Sequence, residues 1–297
     1  MDVVGQMLVG TASVNWGFDP LYTWVIPPSL DDMLDQMAAT GYSGTEVSYN
    51  FPRDPADVRR RLDARGLLAV SSFVAVDFRD RTNHDKGLRE VADAGERLRA
   101  LGACVLILSD KPSPARLARA GRVALDGSDA LDRSSWSAMC EGLNRAGELL
   151  AASGMQAAFH PHVGTYVENR AEIDDLCKAT DPALVGLCPD SGHLAYAGVS
   201  PEEIFTAYAS RIKHVHLKDV DADKLRRVRA EGTDFVSAVR MGLFVELGTG
   251  IVQMKSILRS LDVAHYAGWL VVEQDAPKDP LVAAARNRAY LRAEFAL

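Results

Sequence analysis

Short apolar runs rich in Val, Ile and Leu recur along the chain, and after each one apolar residues return at helical spacing over a longer stretch. That alternation predicts parallel βαβ units. Strands are expected over residues 8–14, 44–49, 68–76, 103–108, 155–161, 185–189, 212–218 and 268–273. The helical stretches between them carry their own punctuation. Pro28-Ser29 precedes Leu30, Asp54-Pro55 precedes Ala56 and Ser200-Pro201 precedes Glu202, so that Ser or Asp can cap and Pro can fill the first turn. Gly41, Gly66, Gly102 and Gly154 then stop four of the helices shortly before the next strand.

Eight such units follow one another without a linker rich in Pro, Gly or Ser, which predicts an α/β fold with residues 1–297 closed into a single (β/α)₈ TIM barrel. An open doubly wound sheet is the alternative, but the turn after the first strand reads Thr11-Ala-Ser-Val-Asn-Trp-Gly17 and lacks the G-x-G-x-x-G that holds a pyrophosphate. Two connections are long. Residues 109–133, with Pro112, Pro114, Gly121 and Gly127, follow the fourth strand; residues 220–250 follow the seventh and are expected to contain a short helix around 233–241. In a barrel both lie on the face formed by the strands' C-terminal ends and are expected to act as lids.

Composition narrows the function classes. With 47% apolar and 25% charged residues the 297-residue chain can bury a large core. Its 33 Lys and Arg against 40 Asp and Glu leave a net charge of −7, which repels phosphate backbones and argues against nucleic acid as a partner. A small neutral or cationic ligand fits better. No apolar run approaches the roughly 20 residues of a membrane span, and Met1–Gln6 lacks the start of a secretory signal, so a cytoplasmic protein is expected. Cys104, Cys140, Cys177 and Cys188 are widely spaced among apolar neighbours and read as reduced core thiols, Cys188 included. Lys224, Arg226, Arg227 and Arg229 read as a solvated helix face rather than a phosphate patch.

The candidate chemistry sits at the strand ends. The fifth strand ends in Phe159-His-Pro-His162, the sixth in Cys188-Pro-Asp-Ser-Gly-His193, the seventh in His214-Val-His-Leu-Lys-Asp219 and the eighth in Val272-Glu-Gln-Asp275, so five of the seven histidines fall within these four short segments, all of them in the first three. Side chains alternate along a strand, which puts His160 and His162 on one face and His214, His216 and Lys218 on another. If these faces point inward, imidazoles and carboxylates meet at one mouth, a donor mixture that suits Mn²⁺, Co²⁺ or Zn²⁺ better than Ca²⁺. The alternative is a set of hydrogen-bonded core histidines. Asn15 and Trp16 close the first strand, and Glu46 interrupts the second; Glu46 is expected to bind a sugar hydroxyl, to pair with Lys218, or to form a structural salt bridge.

The segments GYSGTEV (41–47), FHPHVGTYVE (159–168), PDSGHLAYAG (189–198), RIKHVHLKDV (211–220) and GWLVVEQD (268–275) resemble the inosose dehydratase branch of the xylose-isomerase-like sugar isomerase and epimerase superfamily. The likeness runs from the first strand to the eighth. It implies a TIM barrel with one divalent metal ion, commonly Mn²⁺ or Co²⁺ with Zn²⁺ or Mg²⁺ as alternatives, acting on a small polyhydroxylated ketone. By the same resemblance Asp190, His216 and Glu273 occupy metal-ligand positions, His162 is the ligand from the fifth strand, and His193 contacts substrate. Asn15, Trp16, Glu46 and Glu168 are further substrate-contact candidates. Three segments depart from the branch: Asp221 stands where Arg is usual, Leu247-Gly-Thr-Gly250 where a Pro-Gly-Asp-Gly turn is usual, and Glu273-Gln-Asp275 where Glu-Ala-Glu-Gln-Asp is usual.

Such a site is expected to polarise the ketone and stabilise the enediolate formed when the neighbouring proton leaves. His160, His193, Glu273 and Lys218 are the candidate acids and bases. Loss of the β-hydroxyl makes the enzyme a dehydratase of a keto-inositol or similar keto-polyol. Return of the proton makes it an isomerase or epimerase, and a 3-keto-glycoside would be cleaved by the same logic. A phosphodiesterase on this barrel is excluded, because the second and third strands end in Glu46 and Val76-Asp77-Phe78 with no histidine. A non-catalytic sugar-binding barrel is the remaining reading, and self-association is expected by analogy alone.

Overall fold

The computed structural model describes residues 7–297; Met1–Gln6, read above for a secretory signal, lie outside the described residues. Eight parallel barrel positions form a ring. Leu8–Thr11 lies between Trp269–Val272 and Gly44–Thr45, and the latter pairs with Leu68–Ala69. The third strand breaks at Val70 and continues as Ser71–Val76, which pairs with Val105–Asp110, then Gln156–Phe159, then Val185–Leu187. On the other side Trp269–Val272 pairs with Val215–Leu217. Parallel bridges Leu187–Ile212 and Asp190–His216 close the circle. The break at Val70 is a change of partner. Val70 N still donates to Thr45 O at 3.0 Å and Val47 N to Ser71 O at 2.8 Å, so the second strand stays hydrogen-bonded through the kink while Ser71 onward pairs with Val105–Asp110.

The strands are shorter than the apolar runs suggested. The second holds its ladder over Gly44–Thr45 alone, and the first stops at Thr11, because the backbone beyond turns into the loops of the barrel mouth. The expected caps form: Ser29 accepts from Asp32 N, Asp54 from Ala56 N and Ser200 from Glu203 N, while Gly41 ends its helix in the left-handed conformation at φ +84°. The helix Met254–Val263 shows the packing logic, burying Met254, Ile257, Leu258 and Leu261 at helical spacing. Each such aliphatic side chain contributes ~1.5–3 kcal/mol when fully buried.

Two apolar layers result, and their parity positions the site. Ala157, Phe159, Leu187, Val215, Leu217, Leu270 and Val272 belong to the large core between strands and helices. Ile107, Ala158 and Cys188, together with Ala12, Val70 and Val271, form two small clusters of their own. Alternation therefore turns Ala158, Cys188 and Val271 into the barrel, and two residues further on, at the C-terminal mouth, come His160, Asp190 and Glu273. His214, His216 and Lys218 follow the same inward parity on the seventh strand.

Both long connections are structured. Residues 109–133 contain the short helix Pro114–Ala118, and residues 220–250 contain Ala222–Glu231 and Phe235–Arg240, framed by an antiparallel pair of Asp219–Val220 with Phe244–Val245. The first is clamped by Arg116, buried and bidentate to Glu172 at 2.8 Å to each oxygen. Glu172 also completes a capping box with Asn169. Arg116→Ala strands a buried carboxylate and is expected to lower stability by ~3–5 kcal/mol, read from urea unfolding; a loss under 1 kcal/mol would show the clamp to be inert.

Arg226 pairs with Asp223 and Arg227 with Glu231 on a solvated face, whereas Arg229 donates to the carbonyls of Ala195 and Tyr196 at the end of a neighbouring helix. The four cysteines are free thiols. Cys104 is a correction to the core reading: it is exposed, because the strand begins one residue later at Val105. No helix among the described residues is long and apolar enough to cross a membrane.

Candidate functional site

The inward-facing strand ends line a cavity of about 260 Å³ whose wall includes His160, His162, His193, His216, Lys218 and Glu273. Asp190 lies beneath them. It caps the helix Ser191–Ala197, and its Oδ1 accepts from Gly192 N at 2.7 Å and His193 N at 2.8 Å. Its other oxygen is thereby aimed at the imidazoles, with Oδ2 3.9 Å from His160 Nε2 and 3.7 Å from His216 Nδ1. His216 Nδ1 in turn lies 3.5 Å from Glu273 Oε2.

These separations are too long for good hydrogen bonds. Asp190 Oδ2 and His216 Nδ1 are both buried with no hydrogen-bond partner. Orphaned buried polar atoms are costly, and two that converge with a second carboxylate and a second imidazole have the chemistry of a divalent-ion site. The residues fit the ion their motifs imply.

Lys218 ties the second half of the site. Its Nζ is 3.0 Å from Glu273 Oε2, 3.0 Å from Asp275 Oδ1, 3.5 Å from Asp190 Oδ2 and 3.3 Å from His193 Nε2, and it lies 4.8 Å over the ring of Phe244. Burial disfavours its charge, but Asp190, Asp275 and Glu273 outweigh that and hold its pKa well above the usual lysine value. The opposite holds for the imidazoles next to it. Burial, then the positive neighbours His216, His162 and Lys218, push His160 far down. Burial, then His162, Lys218 and His160, do the same to His193, and burial with Lys218 lowers His162 to about 4. All three are neutral near pH 7. His216 differs: burial works against its charge, yet contacts with Cys188, Glu273 and Glu46 raise its pKa well above normal. Burial raises the pKa of Glu273 against the pull of His216 and Lys218.

The structure distributes the candidates unevenly. His160, Asp190, His216, Glu273, Lys218 and His193 come together. Of the two fifth-strand histidines it is His160 that faces Asp190, whereas His162, the ligand expected from the resemblance, stands apart from it. The ladder ends at Phe159, and beyond it His162 Nδ1 binds Val163 O at 2.6 Å while its ring lies 3.8 Å from that of His193. Glu46 lines the cavity but pairs with His214 and His216, at 3.0 Å each, rather than with Lys218.

Three of the expected substrate contacts stand outside the cavity wall: among the described residues, Asn15, Trp16 and Glu168 do not line it. Asn15 is a latch that donates to Val272 O and Thr11 Oγ1 and accepts from Gln274 N. Trp16 is buried with its Nε1 donating to Gln36. Glu168 spends both oxygens on Gly121 N and Gly164 N, and burial pushes its pKa up to about 7. In their place the loop after the first strand brings Phe18, Asp19 and Tyr22, and the end of the second brings Ser48 and Tyr49. No periodicity marks these loop residues. Asp275 had a signal, since it shares strand parity with Glu273. A wider groove of about 970 Å³ beside Trp24 and Arg240 is larger, but among the described residues it holds no cluster of metal-ligating side chains.

Comparison with known proteins identifies the family. The xylose isomerase-like TIM barrel family matches residues 34–294. An inosose dehydratase of Geobacillus kaustophilus is 34% identical over 297 residues, covering 98% of this chain and 94% of the relative. One from Clostridium beijerinckii is 32% identical over 292 residues, covering 97% of each. Among solved structures, the IOLI protein with a binding zinc atom superimposes with a TM-score of 0.72 at 14% identity, covering 97% of each chain.

Proposed function

The chain belongs to the xylose isomerase-like TIM barrel family, in its inosose dehydratase branch, and we propose that it is a divalent-metal-dependent dehydratase of an inosose or a closely similar keto-polyol. The observation that carries this reading is the meeting of His160, Asp190, His216 and Glu273, with Asp190 Oδ2 and His216 Nδ1 buried and unpaired. Those four residues would hold the ion, and Mn²⁺ or Co²⁺ suits the mixed imidazole and carboxylate set, with Zn²⁺ or Mg²⁺ as alternatives. When bound, it supplies Lewis acidity toward the substrate carbonyl, which makes the neighbouring proton easier to remove.

The remaining steps belong to the chain. A neutral imidazole of His162 or His193 on the cavity wall takes the proton from the carbon beside the ketone. The β-hydroxyl then leaves as water, with its proton supplied by the ammonium of Lys218. Neutral His193, whose Nε2 accepts from Lys218 at 3.3 Å, links acid to base, so the proton taken from carbon can restore the lysine. Asp19, Tyr22 and Asp275 offer hydroxyl partners around a small ring. Isomerisation would need the proton back on carbon. The cationic lysine favours elimination, because it protonates a leaving oxygen.

The test is incubation of the purified, Mn²⁺- or Co²⁺-loaded protein with scyllo-inosose while the ultraviolet absorbance of a dione product is followed. Dione formation that stops on chelation and returns with added ion is the expected result. Turnover of ketohexoses with no dione would replace the dehydratase by an isomerase or epimerase. Sugar binding that ignores chelator, without turnover, would leave a binding barrel.

A further inference from the structure

Glu46 stands on the far side of His216 from the other candidate ligands. Its Oε1 lies 3.0 Å from His216 Nε2, 3.0 Å from His214 Nε2 and 2.7 Å from Ser71 Oγ, and all four residues are buried. Ser71 and His214 also meet, Oγ to Nε2, at 3.2 Å. A carboxylate can only accept, so the proton of each imidazole must sit on Nε2. In the neutral form of His216, the only one that can bind an ion, this has a consequence across the ring: Nδ1 is left with the lone pair, and Nδ1 is the atom that turns to Asp190 Oδ2 and Glu273 Oε2 without a hydrogen-bond partner.

We propose that Glu46, held by Ser71 and His214, is a positioning residue that fixes the tautomer and ring orientation of His216 so that Nδ1 is presented to the ion. The inference rests on the reading of His160, Asp190, His216 and Glu273 as an ion site, and it assigns Glu46 to the ion rather than to a substrate hydroxyl. The three residues come from the second, third and seventh barrel strands, so the brace spans the barrel interior beneath the cavity. Partners that orient a metal-binding imidazole through its second nitrogen tune affinity without touching the ion. The cluster of Glu46, His214 and His216 could itself suggest a second ion. Its distances are those of hydrogen bonds, which a brace requires and an ion between the same atoms would have to break.

Glu46→Gln keeps the shape but replaces the carboxylate by a neutral, weaker acceptor whose amide can equally turn an N–H donor toward His216, so the tautomer is no longer fixed. Titration of the metal-stripped protein with Co²⁺, followed by visible absorption, is expected to show a Kd raised about 10–100-fold over the parent. Glu46→Asp should recover part of the loss. The midpoint of thermal unfolding without metal is read in parallel, because a merely structural role lowers it and leaves Co²⁺ affinity alone. Should Glu46→Gln not fold, ¹⁵N spectroscopy of the zinc-loaded parent still decides: a proton on His216 Nε2 supports the brace, and a proton on Nδ1 overturns it. Unchanged Co²⁺ affinity in a folded Glu46→Gln protein overturns it as well, and binding of two Co²⁺ ions per chain by the parent does so in favour of a second ion. A parent that takes up no Co²⁺ defeats the ion site and this inference together, so the two failures are told apart by the parent alone.

Discussion

Replacing Glu273 by Gln is expected to cut turnover by about 10³-fold or more, the scale of losing a preorganised charge at a reacting centre, while the protein stays folded. The side chain stands between two partners, 3.5 Å from His216 Nδ1 and 3.0 Å from Lys218 Nζ. Glutamine preserves its volume and leaves an amide oxygen for the lysine, so the buried ammonium is not abandoned. What disappears is one negative charge among the four candidate ion ligands. Glu273 is buried and its carboxyl is already costly to ionise there, which is why the neutral variant should not unfold. Metal content by elemental analysis, circular dichroism and initial rates at saturating inosose form the necessary set. Rates within tenfold of the parent, with the fold intact, would remove Glu273 from the chemistry and take the proposed ion site with it.

The barrel was legible because burial on both faces of a parallel strand leaves continuous apolar runs, and those runs survive even where the ladder is short. Parity carried further than length. The apolar residues Ala158, Cys188 and Val271 face inward, so the polar residues two positions later had to arrive at a common mouth, while the choice of Asp190, His216 and Glu273 among them came from the family resemblance. Parity has no power between His160 and His162, which share it; the turn after Phe159 decides, and its path is a property of backbone geometry. Glu46 illustrates another limit. Its partners come from the third and seventh strands, and only the relative stagger of strands around the closed ring brings them to one oxygen. The loop residues Asp19, Tyr22 and Tyr49 enter the cavity from segments without a repeating pattern. Asn15, Trp16 and Glu168 illustrate the opposite limit, as strand-end and loop residues whose hydrogen bonds the structure gives to the scaffold.

Lys218→Met tests the assignment of the acid, and its expected outcome is a split between chemistry and ion binding. The ammonium is surrounded by Asp190, Glu273 and Asp275 and donates toward His193, so it is held charged inside the barrel. Loss of a positioned general acid is expected to lower kcat by about 10²–10⁴-fold. Ion affinity should not fall, and it should rise if anything, because methionine removes a positive charge from the neighbourhood of Asp190 and Glu273. Stability without metal should drop, since three buried carboxyl groups lose their common counter-ion, and added Mn²⁺ should restore much of it by binding the folded state. A purely structural lysine predicts a different pair of results: lower stability that metal repairs, together with near-normal kcat once metal is present. If metal-saturated Lys218→Met dehydrates inosose at the parent rate, the proton for the departing hydroxyl comes from elsewhere in the cavity, and the relay through His193 is wrong.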